Sequence, residues 1–78
     1  MEIDVMAHLG LKLRDRRKSL GLTQGDVAAA VGVRFQQIHK YECGACTPPA
    51  SRLPALASVL GVSPGYFFEG LSEALQTR

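Results

Sequence analysis

Residues 23–42, with the sequence TQGDVAAAVGVRFQQIHKYE, constrain the fold of this chain more than any other segment. Apolar side chains recur at helical spacing on both sides of Gly32, which predicts two short helices that meet at a sharp turn. Two helices that cross steeply over a short turn need small residues at their contact and a glycine at the corner. Ala28 fits the contact and Gly32 fits the corner. The segment therefore predicts a helical pair with a fixed bend.

The second helix of this pair, predicted over residues 34–42, surrounds one apolar residue, Ile38, with amides and cations. Its polar side chains are Arg34, Gln36, Gln37, His39 and Lys40. A short helix of this composition, held at an angle to a helix of small residues, fits the major groove of DNA. The alternative is an ordinary helical hairpin within a bundle. No Ser or Thr precedes the helix as a cap, so its start is the least defined point of the pair.

The charge of the chain is uneven. Residues 8–68 contain eight Lys or Arg and three acids, which gives +5, whereas the whole chain has a net charge of +2. A basic body with acidic ends suggests a face that binds a polyanion. The alternative is that these charged side chains only face water on the surfaces of the helices.

The length and the first residues narrow the class of protein further. A chain of 78 residues has the size of one domain. No apolar run approaches the ~20 residues that a membrane span requires. Residues 1–8 are acidic and lack the apolar stretch of a signal peptide. We therefore expect a cytoplasmic protein with no membrane partner.

Local signals predict the first two helices. Periodic apolar residues place the first helix at residues 6–20, and Gly21 ends it. Thr23 and Asp26 have the spacing of a capping box at the start of the second helix, over residues 24–31. The residues before the first helix show no clear cap.

Two more helices follow a loop that is rich in proline and glycine. The fourth is expected to begin at Ser51 or Arg52 and to end before Gly61. Pro54 limits its start, because proline inside a helix costs roughly 3 kcal/mol. With Ser51 as the cap, Pro54 would stand at the third position, where its missing amide is tolerated. A short fifth helix is expected from residue 64 to residue 68 or 69, with proline in its first position.

The segment from Leu9 to Phe68 resembles the lambda-repressor/Cro type of helix-turn-helix domain, also called the XRE family. The matching text is RRKSLGLTQGDVAAAVGV, QQIHKYECG and SRLPALASVLGVSPGYFF, in the order and at the spacing of the family. The resemblance implies an all-α fold, a compact bundle of five helices. It also implies a bacterial or phage transcription regulator that binds a palindromic DNA operator as a homodimer.

The resemblance assigns the reading of bases to the third helix. In such domains the second helix of the pair lies in the major groove, and its N-terminal part contacts base edges. Gln binds N6 and N7 of adenine, Arg and Lys bind O6 and N7 of guanine, and an apolar face can meet a thymine methyl group. The alternative for each glutamine is a solvated surface amide. The expected base contacts are Arg34, Phe35, Gln36, Gln37 and Lys40.

Other residues are expected to contact phosphates, which sets the register on DNA without reading its sequence. By resemblance, Gln24 binds a backbone phosphate at the start of the second helix and braces the recognition helix. Free amides and the helix dipole favour anions at this position. The alternative for every other candidate is a solvated position on the surface. The complete set is Gln24, Arg14, Lys18, His39 and Arg52.

Four residues are expected to have structural roles. Arg17 falls on the apolar stripe of the first helix and Glu42 ends the third. By resemblance they form a partly buried salt bridge, and loss of one partner of a deeply buried pair would cost about 3–5 kcal/mol. Ala28 and Gly32 shape the bend.

Cys43 and Cys46 form a C-x-x-C pattern near His39. A second pair of zinc ligands is missing, and no βαβ pattern supports a thioredoxin motif. We interpret both thiols as incidental, with a regulatory disulfide as an alternative and a metal site as a weaker one. We expect no cofactor and no enzymatic activity, because no catalytic set of residues stands out.

The sequence therefore predicts a sequence-specific regulator, a repressor rather than an activator, that binds double-stranded DNA. We expect an N-terminal tail at residues 1–7, a helix-turn-helix DNA-binding domain at residues 8–70, and a C-terminal tail at residues 71–78. The dimer surface would combine the fifth helix with Leu71 and Leu75, unless these leucines pack onto their own domain. The alternatives are an antitoxin-like module that binds protein and a regulator that responds to thiol oxidation.

Overall fold

The computed structural model describes residues 4–71 and is helical throughout, with no strand in this range. Helices α1 and α2 form the N-terminal half, and α3 and α4 follow, with one 3₁₀ helix after them. Their bounds are α1 Val5–Ser19, α2 Gln24–Val31, α3 Phe35–Glu42, α4 Leu53–Leu60 and the 3₁₀ helix Pro64–Phe68. The predicted all-α class is confirmed. The predicted number of five α-helices is corrected to four.

The last element is a 3₁₀ helix because it is short and begins with proline. Pro64 has no amide to donate, and the described turns close between residues three apart, from the Tyr66 amide to the Ser63 carbonyl and from the Glu69 amide to the Tyr66 carbonyl. Five residues do not establish the longer-range bonds of an α-helix. The element still buries Phe67, as its place in the bundle requires.

Helix α1 starts earlier than expected because Asp4 caps it. The Asp4 carboxylate accepts a hydrogen bond from the Ala7 amide at 3.1 Å. Residues 5–7 therefore belong to the helix and not to a tail. The predicted apolar stripe holds in the middle of the helix, where Leu9 and Leu13 are buried.

Helix α2 and the bend follow the local signals. The Thr23 hydroxyl accepts from the Asp26 amide at 2.9 Å, and the Asp26 carboxylate accepts from the Thr23 amide at 2.8 Å. The predicted capping box is confirmed. Gly32 has φ of 78°, the left-handed conformation, and both its amide and that of Val33 donate to the Ala28 carbonyl. This glycine gives the chain its sharp turn into α3 at little steric cost.

Helix α4 begins at Leu53, with Arg52 at the capping position, and not at Ser51 or Arg52. Pro54 therefore occupies the second helical position, where a missing amide also costs nothing. The Arg52 amide donates to the Pro49 carbonyl at 2.8 Å, which closes a turn ahead of the helix. This turn replaces the predicted Ser51 cap.

The core lies where α1, α2, α3 and α4 meet, and the 3₁₀ helix covers one side of it. Helix α1 approaches α3 closely at Gly10, where an added Cβ atom would collide with the carbonyl oxygens of Tyr41 and Glu42. None of the helices within residues 4–71 combines the length and apolar character needed to cross a membrane. The core residues are Leu9, Leu13, Val27, Ala28, Ile38, Tyr41, Leu56, Ala57, Leu60 and Phe67.

Leu71 is the last described residue, and only 8% of it is exposed. Most of this side chain is thus covered within its own domain, as the packing alternative expects. Leu75 lies outside the described residues, as does the rest of the C-terminal tail after Leu71.

Candidate nucleic-acid interface

Helix α3 has one buried side and one exposed polar side. Ile38 and Tyr41 point into the core and are almost fully buried. Phe35 is 54% exposed. Arg34 caps α3 without a side-chain hydrogen bond, as the absence of Ser or Thr predicts. The backbone amides of the first turn therefore receive no hydrogen bond from a capping side chain.

A groove runs along the exposed side of α3. Four of the five expected base-contact residues line it together with Arg52, which the sequence analysis assigned to phosphate. Phe35 is not among the lining residues. The lining set is Val33, Arg34, Gln36, Gln37, Lys40 and Arg52.

Two side chains in this groove are held by neighbours. The Arg52 guanidinium donates to the Tyr41 hydroxyl at 2.9 Å. The Gln37 amide nitrogen donates to Cys46 Sγ at 3.3 Å. Among the described residues, no side-chain hydrogen bond engages Gln36 or Lys40, and both are exposed. The groove therefore combines fixed and adaptable polar groups.

A second depression brings together the other expected phosphate contacts. Helix α1 contributes two cations, α2 contributes an amide, and α3 contributes an imidazole. Its floor is formed by the Arg17–Glu42 pair and by Cys43. The four phosphate candidates in it are Arg14, Lys18, Gln24 and His39.

The Arg17–Glu42 pair ties α1 to α3 below this depression. Arg17 Nε donates to Glu42 Oε2 at 2.6 Å, and the Arg17 NH2 group donates to Glu42 Oε1 at 3.0 Å. Arg17 also donates to the Leu22 carbonyl at 2.8 Å. Burial by itself raises the pKa of Glu42, but the hydrogen bonds from Arg17 and Gln24, together with the positive charges of Arg17 and Arg14, outweigh it and lower the pKa. The hydrogen bond to Glu42 likewise raises the pKa of Arg17.

Gln24 also contacts α3, the helix that the resemblance expects it to brace. Its amide nitrogen donates to Glu42 Oε1 at 3.0 Å. A carboxamide nitrogen has two hydrogens, so one remains available beside the free amides at the start of α2. Gln24 therefore contacts the Arg17–Glu42 pair and also lines the second depression.

Sequence reasoning missed the roles of Tyr41 and Cys46. A buried tyrosine usually needs a partner for its hydroxyl, and the partner of Tyr41 is Arg52. No sequence signal placed Cys46 against Gln37, because this contact depends on the path of the loop after α3.

The two thiols have separate neighbours. Cys43 Sγ lies 3.4 Å from His39 Nε2, whereas Cys46 contacts Gln37. Both cysteines are free thiols. Over residues 4–71, no cluster of three or more His, Cys, Asp or Glu side chains is arranged to hold a metal ion.

Comparison with known proteins agrees with the fold and with the bend between α2 and α3. The family model described as a helix-turn-helix domain matches residues 8–65. A protein of Rhodospirillum rubrum, named as a transcriptional regulator in the ATPase CF(0) region, is 48% identical over 67 residues, which cover 86% of this chain and 62% of that protein. An HTH-type transcriptional regulator of Sinorhizobium fredii is 43% identical over 65 residues, which cover 83% of this chain and 46% of that protein.

The chain thus spans about half to three fifths of the length of these two relatives. Neither name describes an enzyme, in line with the expectation that this domain has no catalytic activity. Among solved structures, the P22 c2 repressor in complex with a synthetic operator has a TM-score of 0.74 and 34% identity, over 80% of this chain and 94% of that one. The matched residues, the helical order and the turn at Gly32 show that the chain belongs to the helix-turn-helix domain family, of the lambda-repressor/Cro type.

Proposed function

We propose that this chain is a transcriptional regulator that binds double-stranded DNA in a sequence-specific manner, with α3 in the major groove. The observation that carries the proposal is the groove along α3, where exposed amides and cations converge on a surface that a single short helix presents. An α-helix is narrow enough to enter the major groove with its side chains at base-edge distance.

The arrangement supports distinct roles for its residues. Gln36 and Gln37 suit adenine, and Arg34 and Lys40 suit guanine. Phe35, exposed at the start of α3, offers an apolar face to a thymine methyl group. The first two turns of α3 therefore provide donors, acceptors and an apolar surface, which together can distinguish base pairs.

The second depression suits the DNA backbone. Arg14 and Lys18 from α1 and His39 from α3 can approach phosphates on the same side of the domain. Gln24 adds an amide at the N-terminus of α2, where the dipole favours an anion. Arg52, at the edge of the α3 groove, is a further phosphate candidate. These contacts would fix the register of α3 on the duplex.

The regulatory role rests on relatives. Both curated relatives are named as transcriptional regulators, and the P22 c2 repressor is bound to an operator. We propose that this chain acts as a repressor and binds a palindromic operator as a homodimer. One recognition helix contacts few base pairs, and two-fold related half-sites double the readout.

Selection of binding sites from random duplex DNA tests the proposal. Wild-type protein should enrich one sequence with two half-sites. Gln36→Ala should lose discrimination at one base pair, worth about 1–3 kcal/mol. Lys18→Ala should weaken all sequences alike, because Lys18 is expected to contact phosphate.

Two results would contradict the proposal. Absence of any enriched sequence, with no salt-sensitive binding to duplex DNA, would favour a protein-binding module instead. An unchanged selection profile for Gln36→Ala would show that α3 lies in a different register on DNA.

A further inference from the structure

The loop that follows α3 contacts Gln37, a residue of the groove along α3, through Cys46. Cys46 lies in this loop, is partly buried, and packs against the core. Its sulfur accepts a hydrogen bond from the Gln37 side-chain nitrogen at 3.3 Å. Gln37 is also the only partly buried residue among the five expected base contacts, since the other four are exposed. The loop and the core thus restrict this glutamine more than its neighbours.

After this contact is made, the Gln37 carboxamide still has a hydrogen-bond donor and an acceptor available. A glutamine nitrogen carries two hydrogens, and its oxygen is an acceptor. With one hydrogen directed at Cys46, Gln37 retains one N–H and the Oε1 atom for a partner in the groove. Adenine presents the complementary pair in the major groove, with N7 as an acceptor and N6 as a donor.

We infer that Cys46 is a positioning residue that orients the Gln37 carboxamide toward adenine at one base pair of the site. The inference rests on the proposed function, since it assumes that α3 reads DNA. Cys46 itself contacts no base. Its sulfur holds the nitrogen end of the carboxamide, so the acceptor and the remaining donor face the groove together before DNA arrives, and less side-chain entropy is lost on binding.

The neighbouring thiol provides a matched control. Cys43 is three residues earlier in the same loop region and is more exposed, but its sulfur contacts His39 and not Gln37. Removal of the Cys43 thiol should therefore leave the Gln37 carboxamide in place. A general effect of thiol loss on the loop would appear in both variants.

The test compares site selection from random duplex DNA for wild type, Gln37→Ala, Cys46→Ala, Cys46→Ser and Cys43→Ala. Gln37→Ala identifies the base pair that Gln37 reads. Cys46→Ala should reduce the preference for adenine at that same base pair by roughly twofold to fivefold, the lower part of the range for one hydrogen bond, since sulfur is a weak acceptor. Cys46→Ser should restore the preference because a hydroxyl also accepts. Cys43→Ala should match wild type at this position.

A loss of affinity that is equal for all sequences would overturn the inference, because it would mark Cys46 as merely structural. An unchanged profile for Cys46→Ala, or no effect of Gln37→Ala at any base pair, would overturn it as well. In each of these cases wild type still selects a site, so the proposed function stands. If wild type selects no site, the proposed function itself fails. Urea denaturation of each variant verifies that the comparison is made between folded proteins.

Discussion

Glu42 joins three helices through its two carboxylate oxygens. Oε2 accepts from Arg17 of α1 at 2.6 Å, Oε1 accepts from Gln24 of α2 at 3.0 Å, and Glu42 itself ends α3. Because it is almost fully buried, its charge is stabilised by these partners and not by water. A single residue thus couples the stability of the bundle to the orientation of Gln24 at the surface.

This coupling predicts a loss of stability in acid. Burial would raise the pKa of Glu42, but the pKa is lowered, since the hydrogen bonds from Arg17 and Gln24 and the charges of Arg17 and Arg14 together outweigh burial. A carboxyl group with a lowered pKa contributes stability at pH values above the pKa of the unfolded chain, about 4.3, and this contribution disappears as the pH falls through the folded pKa. We predict that the free energy of unfolding, measured with urea, declines steadily from pH 5 downward.

The variant Glu42→Gln separates this residue from other acids. Asp26 also has a lowered pKa, caused by its hydrogen bonds with Thr23, and it remains in the variant. We expect Glu42→Gln to lose about 1.5–3 kcal/mol at neutral pH, the range for a hydrogen bond to a charged group. Its stability should then depend less on pH than that of wild type. Equal slopes in acid for the two proteins would show that Glu42 does not titrate as described.

At the scale of helices, the approach of α1 to α3 depends on Gly10. An added Cβ atom would lie 2.7 Å from the Glu42 carbonyl oxygen and would also collide with that of Tyr41. These are backbone atoms and cannot rotate away. We predict that Gly10→Ala lowers the free energy of unfolding by about 1–3 kcal/mol, the usual cost of overpacking, despite the better helix propensity of alanine.

Gly25 is the matched control for this prediction. It also lies inside a helix, but the nearest atom to an added Cβ is Thr23 Oγ1 at 3.7 Å, an ordinary contact. Gly25→Ala should therefore be neutral or stabilise the domain by at most about 1 kcal/mol. Urea denaturation of both variants decides the matter. If Gly10→Ala were as stable as Gly25→Ala, α1 and α3 would not be in close contact at this point.

The elements that could be predicted from sequence are those with local causes. The capping box of Thr23 and Asp26 and the turn at Gly32 involve residues only a few positions apart, so their signals are complete in the sequence. The collision at Gly10 depends on residues more than 30 positions away and leaves no local trace. The fifth helix was predicted because Pro64 suits the first position of a helix. The structure has Pro64 at this position, but the five residues form a 3₁₀ helix and not an α-helix.

The candidate interface was predictable to the same degree. The exposed residues of α3 follow from helical periodicity around Ile38. The contacts that orient them do not, because Arg52 reaches Tyr41 across 11 positions and Cys46 reaches Gln37 through an irregular loop. The exposure of these side chains could therefore be predicted from the sequence, whereas the contacts that hold them in place follow only from the fold.

At the scale of the whole molecule, the cations are grouped and not scattered. Five of the eight Lys and Arg residues within residues 8–68 line the two depressions and form no salt bridge among the described residues. Arg17 lines the second depression as well, but its charge is matched by Glu42. Lys12 lies on another part of the surface, where it pairs with Glu69 at 3.4 Å and sits 4.2 Å above the Tyr66 ring. The five grouped cations are Arg14, Lys18, Arg34, Lys40 and Arg52.

This grouping predicts how DNA affinity depends on salt. If about five phosphates are neutralised per subunit, the logarithm of the binding constant should fall with the logarithm of salt concentration with a slope near −4 to −5 for each bound subunit. Lys18→Ala should reduce the magnitude of this slope by about 1 for each subunit, because one counterion fewer is released. Fluorescence anisotropy of labelled duplex DNA across a series of salt concentrations measures both values.

Lys12→Ala is the control, since it removes the same charge from a site outside the two depressions. Its slope should equal that of wild type, provided that loss of the contacts with Tyr66 and Glu69 leaves the domain folded, which urea denaturation verifies. Equal reductions for Lys12→Ala and Lys18→Ala would mean that net charge alone attracts DNA. A slope near zero for wild type would mean that the two depressions do not contact the DNA backbone. Contacts between cations and phosphates release counterions whether or not the protein also contacts bases.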